Sequence, residues 1–501
     1  MRLAPGRSGV RPRAGTAGRF DRAAGGMSVY VWHDGSGSWR RRLAGRGIGG
    51  GACPPAGAPD VLVNWRGDDA GIQGAPGGIR RVLNDPEYVA SLRDDAVLRR
   101  KLALFGVRYE PPDAAGSPRR PRPLLAVGGR ERWAVGVFDM AAVVFRRLPD
   151  AGAAGRSGGT PGEAGVRQAD PRRLSRIARF AARAVYGAGL DFGVAVVRLE
   201  GSRTAVLEKI DPAPRIPDDE WPSWQDALAA LAAESSRGGR EPRRAILGMD
   251  AEFVLVNEAG KVVPASRFFA GKGPVGCDDA TAPGRSGVHP LAELRPAPSG
   301  EPAQLIRHLR RTMLAAASRI GEPGLRWLAG GMPVRGLALG GHIHFSGVRL
   351  NGALVRALDN YLALPLSLLE DETAARRRKR YGRPGDVRTK RHGGFEYRTL
   401  PSVIVSPRVT KGAVALAKLI AEHYERLPER PLDDPGLLEA FVSGDKARLI
   451  PAARRLWTKV EELDGYAGYA RFLDPLGEWI RAGKSWRSDA DFRKAWKIPI
   501  A

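Results

Sequence analysis

Two carboxylates at i, i+2 inside an apolar run are the first residues here whose type and spacing suggest chemistry. Asp250 and Glu252 lie within Ile246-Leu247-Gly248-Met249-Asp250-Ala251-Glu252-Phe253-Val254-Leu255. If the run is a β-strand, alternation sets both acids on one face and Met249, Ala251 and Phe253 on the other. Acids on one face of an apolar strand are costly unless a cation stands between them; a lone pair of this kind is otherwise a solvent-facing edge. Ala292-Glu293-Leu294-Arg295-Pro296 repeats the pattern with Glu293 and Arg295. Of the seven histidines in the chain, His342 and His344 fall at i, i+2 in the glycine-framed Gly340-Gly341-His342-Ile343-His344-Phe345-Ser346-Gly347. Both imidazoles then share a side, and the glycines allow close approach of a ligand or backbone.

A fourth motif is basic. Nine of the sixteen residues from Arg376 to Arg391 are Arg or Lys, broken by Gly382, Pro384 and Gly385, and the run leads to Phe395-Glu396-Tyr397-Arg398. Such a run is usually a solvated face. Interrupted by turn residues and joined to a Glu-x-Arg strand, it reads as a loop whose arginine forks clamp polyphosphate oxygens. Each motif is weak alone. Together they supply what ATP chemistry needs, carboxylates for divalent ions that bridge phosphate oxygens and guanidiniums for charge developing in phosphoryl transfer.

The elements that must position these groups follow from the pattern. Strands are expected at 246–255 and around each acid motif. Helices are expected over 302–320, 352–369 and 409–426, with 430–480 helical throughout. Ahead of them, a first block runs over 27–218. It contains a strand at 61–65, a helix over 94–105 closed by Gly106, strands at 133–138 and 142–145, a Gly/Ala-rich mobile loop over 150–168, a helix over 171–188 and a hairpin around Gly201-Ser202. Residues 219–245 read as a linker carrying a short helix over 224–234, and 246–501 as the second domain with a helical tail. The fold class expected is α+β, and the length of 501 residues suits two domains.

Composition bounds the partners. The formal charge of +26 invites nucleic acid, but the excess is spread along the chain, with 67 Arg against 13 Lys, and speaks more of compositional bias than of a binding stripe. A nucleic-acid partner is therefore not expected. No apolar run approaches membrane-spanning length. Residues 1–26 lack a signal-peptide core and read as a disordered leader or an upstream start before Met27. Two cysteines, Cys53 and Cys277, without metal spacing point to a reducing cytoplasm. The oligomeric state is left open.

At the quoted motifs the chain resembles the glutamine synthetase and glutamate–cysteine ligase superfamily of carboxylate–amine ligases. More narrowly it resembles the phage phiEco32-like type 2 COOH·NH2 ligases, over about residues 246–500. The resemblance implies an antiparallel sheet curled into a funnel that holds Mg2+ or Mn2+ ions, with Asp250, Glu252, Glu293, His342 and Glu396 as metal ligands. It implies that His344 lies toward nucleotide or substrate, that Arg388 and Arg398 act on the transferring phosphoryl group, and that Arg380 and Lys390 join them on ATP. The implied reaction passes the γ-phosphoryl group to a carboxylate of a small molecule or peptide, and an amine then attacks the acyl phosphate.

The first block is similar to ATP-grasp proteins at Asn84-Asp85-Pro86 with 92–111, at Leu190-Asp191-Phe192-Gly193 and at 206–214. Those proteins end the last motif Glu-x-Asn, whereas this chain has Glu208 and Asp211, and it shows no nucleotide-binding lysine pair. A smaller, degenerate ATP-grasp-like α/β domain is therefore expected. Three rivals stand beside the ligase. One is a phosphate- or nucleic-acid-binding protein on an inactive ligase fold, another is a metal-dependent hydrolase, and the third makes the first block the active ligase.

Overall fold

A computed structural model describes residues 28–33, 42–43, 48–51, 59–66, 79–112, 131–149, 170–201, 204–238, 243–281, 287–390 and 393–500. The expected leader, the 150–168 loop and Cys53 lie outside the described residues.

The second block is built on an eight-stranded sheet in which every pairing is antiparallel. Its axis is the strand Ile246–Val256. Gly341–Ser346 pairs with its first half and Leu291–Leu294 with its middle, and Phe395–Tyr397 then pairs with Gly341–Ser346. Met249, Ala251 and Phe253 enter the core with Leu305, Leu309 and Met313 of the helix Pro302–Ala317 and with the helix Pro407–His423. The helices thus cover one face, and the acids at 250 and 252 point from the other. The tail resolves into helices Pro435–Ser443, Lys446–Glu461 and Tyr466–Arg481.

The first block has two sheets. A four-stranded parallel sheet runs in the order Gly49–Gly51, Val29–Trp32, Val61–Asn64, Arg81–Leu83. A four-stranded antiparallel sheet runs Ala141–Leu148, Arg132–Phe138, Phe192–Glu200, Thr204–Asp211, and the helix Pro171–Gly187 packs on it. Asp139 and Met140 turn the first hairpin with φ of 51° and 71°, the left-handed backbone that a tight turn between twisted strands demands.

The segment 219–245 departs from the linker expected there. Trp221–Gly238 is one 18-residue helix, and its Trp221, Trp224, Leu228 and Leu231 join Val29, Val63, Phe138 and Phe192 in a core. Apolar spacing of three and four residues made it a structural element, and the polar composition of its end concealed that.

The two blocks share a polar seam. Asp359 takes hydrogen bonds from Tyr186 of the first block (2.7 Å) and from Tyr397 (2.6 Å), Thr399 (3.3 Å) and the Gly385 amide (2.6 Å) of the second. Asp191 pairs with Arg356 at 3.0 Å, and Asp139 accepts from the Gly352 amide at 2.8 Å.

Glu208 and Asp211 have local structural partners. Glu208 is buried between Arg198 (2.9 Å) and Arg132 (2.8 Å), and Asp211 caps a turn by accepting from the Ala213 amide at 3.1 Å. Glu208→Gln is accordingly expected to cost roughly 1–3 kcal/mol, the scale for a broken charge-assisted contact. Urea unfolding should show this loss.

Candidate active site

Register brings the chemical residues together. Glu252 lies directly opposite Glu293, Asp250 opposite His342, His344 opposite Glu396, and Glu396 opposite Arg388. Facing residues of an antiparallel pair project to the same side, so five strands, with Arg388 on Val387–Thr389, present one contiguous polar surface. The glycine frame has a steric cause: a Cβ on Gly340 would stand 2.2 Å from His342 Nε2, and one on Gly341 would meet the Pro401 carbonyl at 2.1 Å.

Three overlapping groups have donor atoms within 4.8 Å of one another: Asp250, Glu293 and His342; Asp250, His344 and Glu396; Glu252, Asp278 and Glu293. Like charges directly across a ladder are destabilising, and the titration of these groups reflects that. Burial, then the charges of Asp278 and Glu293, push Glu252 well above the usual carboxylate range. Burial, then Asp250, push Glu293 up to about 8, although Arg295 hydrogen-bonds to it. Three carboxylates crowded at one point, two of them reluctant to ionise, form an oxygen-rich nest suited to a hard divalent cation.

The Glu396 side is electrostatically opposite. Arg388 (2.7 Å), Lys390 (2.7 Å), Arg398 (3.1 Å) and His342 Nδ1 (3.2 Å) surround its carboxylate. Burial opposes its ionisation, but His342, Lys390 and Arg388 outweigh that and hold it at about 2. Burial, then Arg398, lower His342 to about 3, so its ring is neutral near pH 7. The ionised Glu396 beside Nδ1 favours the proton there, leaving Nε2 to accept from the Tyr381 hydroxyl at 2.8 Å. His344 Nε2 stands 2.9 Å from Asp250.

Asp250, Glu252, Glu293, His342, His344, Arg388, Lys390, Glu396 and Arg398 therefore gather on one side of the sheet. Arg380 does not join them; it is exposed and lines a separate polar cleft with Arg183 and Asp386. The basic run as a whole is less of a phosphate clamp than its composition promises. Arg377 is buried and donates to the Thr399 and Arg398 carbonyls, Arg378 is buried against Glu370, and Arg383 donates to the Ala103 and Lys379 carbonyls. Asp278 and Tyr381 had no place among the expected site residues. Asp278 follows the strand Val275–Cys277, and its only trace in the sequence is an acid pair at a strand end. Cys277 is a free thiol donating to the Phe269 carbonyl. Among the described residues no helix is long and apolar enough to cross a membrane.

Comparison with known proteins gives one sequence family. The profile described as phage phiEco32-like COOH·NH2 ligase type 2 matches residues 247–498. No curated protein sequence matches the chain. Among solved structures, the ligase PafA in complex with the prokaryotic ubiquitin-like protein Pup aligns at 14% identity and TM-score 0.35, over 51% of this chain and 66% of that one. A bifunctional glutathione synthetase from Pasteurella multocida aligns at 12% and 0.31, over 51% and 52%. Apo GmaS aligns at 15% and 0.32, over 70% and 92%. The chain thus spans about two thirds of the PafA chain and half of the synthetase.

Proposed function

The chain belongs to the phage phiEco32-like COOH·NH2 ligase type 2 family, and from that premise we propose that it is an ATP-dependent ligase joining a carboxyl group to an amine. The carboxyl and amine belong to small molecules or peptides, and the product is an amide reached through an acyl phosphate. The observation that carries this reading is Glu252 facing Glu293 in register with Asp278 beside them, a buried acid cluster whose own charges repel. The donor set is carboxylate oxygen with one imidazole nitrogen and fits Mg2+ or Mn2+. Glu252, Asp278 and Glu293 would hold one ion, and Asp250, His344 and Glu396 a second. When bound, such ions neutralise phosphate oxygens and polarise the transferring group.

The chain's own residues do the remaining work. Glu396 acts chiefly as an organiser, because it fixes Arg388, Lys390 and Arg398 at one edge of the acid surface. Those cations then meet the phosphate oxygens and offset the charge that grows on them in transfer. Tyr381 holds the His342 ring and stacks under the Arg398 guanidinium at 4.8 Å, so Arg398 is aimed before substrate arrives. We propose further that the first block is a non-catalytic ATP-grasp-like domain, since Glu208 and Asp211 are spent on internal contacts.

The direct test incubates the full chain with ATP, Mg2+ or Mn2+ and a panel of amino acids and peptides, with products identified by mass spectrometry. An amide product that requires ATP is expected; ATP consumption without one would favour hydrolysis. Arg398→Ala should lower turnover about a hundredfold, the scale for one aligned donor at developing charge. Steady-state kinetics of the folded variant would show it, and unchanged kcat would remove Arg398 from the reaction.

A further inference from the structure

We infer that the first block completes the anion-binding side of this site: a polar cleft at the seam, walled by Arg183 of the first block and by Arg380 and Arg383 of the second, takes the phosphate tail of the nucleotide. The inference rests on the reading above that the chain uses ATP. The cleft has a volume of about 190 Å3, with Tyr381 and Asp386 also in its walls. At ~30 Å3 per molecule that is room for about six waters. The guanidiniums of Arg183 and Arg380 therefore share the cleft with one carboxylate, while that of Arg383 is held by the Ala103 and Lys379 carbonyls.

The seam fixes this geometry. On the helix Pro171–Gly187, Arg179, Arg183 and Tyr186 follow at four- and three-residue spacing and share a face. Tyr186 is hydrogen-bonded to Asp359, and a Cβ on Gly385 would come within 2.6 Å of the Tyr186 ring, so the helix packs directly on the 380–388 loop. One turn earlier, Arg183 reaches Asp386 at 3.2 Å while its buried Nε has no hydrogen-bond partner. The backbone carbonyl of Asp386 in turn accepts from the Arg398 amide at 2.8 Å.

One turn further back, Arg179 has no carboxylate ion-pair partner among the described residues. Partial burial and the like charges of Arg388, Arg398 and Arg183 pull its guanidinium below the ordinary value, with Asp386 only partly offsetting them. Arg380 is exposed and likewise without an acid partner among the described residues. The cleft connects to the acid surface through one residue, because Tyr381 lines it and hydrogen-bonds to His342. Clustered guanidiniums repel one another until an anion arrives, and their forks match phosphate oxygens. A phosphate-bearing ligand laid from the acid surface past Tyr381 satisfies both halves of the site.

The test is calorimetric titration of the full chain with tripolyphosphate, in the absence of ATP. Arg183→Ala and Arg380→Ala, the two cleft arginines not held by backbone carbonyls, are each expected to weaken binding by about tenfold, the scale for one lost charge-assisted contact. Arg454→Ala removes the same charge from an exposed position on a tail helix and should leave binding within twofold of the parent. Circular dichroism checks each fold. Should Arg183→Ala misfold, Arg380→Ala decides, because Arg380 is exposed and lines the cleft. Parent-like affinity in the arginine variants, or no tripolyphosphate binding by the parent, overturns the inference. Failure of the ligase reading would show differently, as the absence of any ATP-dependent amide product while tripolyphosphate still binds.

Discussion

Glu252→Gln is expected to abolish ATP-dependent turnover, by roughly three orders of magnitude or ~4 kcal/mol at 1.36 kcal/mol per decade, while leaving the fold as stable as before. The two halves of this expectation have separate causes. Without a cation, the buried Glu252 is held against ionisation by its surroundings and by Asp278 and Glu293. The amide keeps the shape and relieves that repulsion, and its oxygen can still accept from the Gly340 amide, which now lies 2.7 Å from Glu252 Oε2. The amide cannot, however, supply the negative charge that a divalent ion needs. Stopped turnover with an unchanged or higher melting temperature is the expected pair of results. Parent-like turnover would put the metal elsewhere, and a collapse of stability would make Glu252 a structural residue.

Divalent metal should stabilise the protein more strongly as the pH rises from 6 to 8.5. Burial and Asp250 push Glu293 up to about 8 from an ordinary 4.5. Its folded form therefore keeps a proton that the unfolded chain has lost. The stability this confers is full below pH 4.5 and drains away as the pH climbs through 8. Glu252 acts in the same direction. Glu396, held near 2, has the opposite sign, but its contribution changes only in acid, between about 2 and 4.5. Across the neutral range the metal-free protein should thus lose stability. A bound cation reverses this, because it takes the place of the protons. At a hundredfold excess over Kd, Mn2+ would contribute about 2.7 kcal/mol, and the contribution should be smaller at pH 6, where protons compete. Thermal unfolding with Mn2+ or with EDTA at several pH values measures the gap. A gap that narrows with rising pH would mean that these carboxylates do not bind the ion.

How much of this could be read from the sequence depended on how local each feature is. Alternation along one strand is local, so the common face of Asp250 and Glu252 was legible, as were the His342/His344 and Glu396/Arg398 pairs. The cross-strand register that sets Glu252 against Glu293 is set by packing, yet the acid motifs already marked which strands to compare. Asp278 was not legible, because it comes from beyond a strand end and gains meaning only through its neighbours in space. The basic run misled for the same reason. Nothing in Arg376 to Arg391 tells that Arg378 is taken by Glu370 and Arg377 by backbone carbonyls, while Arg388 and Lys390 face the site. The helix over 221–238 was half legible, its apolar spacing visible and its burial under the first block's strands invisible.

Asp359 accepts hydrogen bonds from both blocks, and buried donors and acceptors left unpaired are expensive. To part the blocks would strip this carboxylate of Tyr186, and Arg356 of Asp191, with no water yet arrived to replace them. The seam therefore makes the protein one thermodynamic body. Heating should melt both blocks in a single cooperative transition, and a chain cut between them should hold together until that transition is reached.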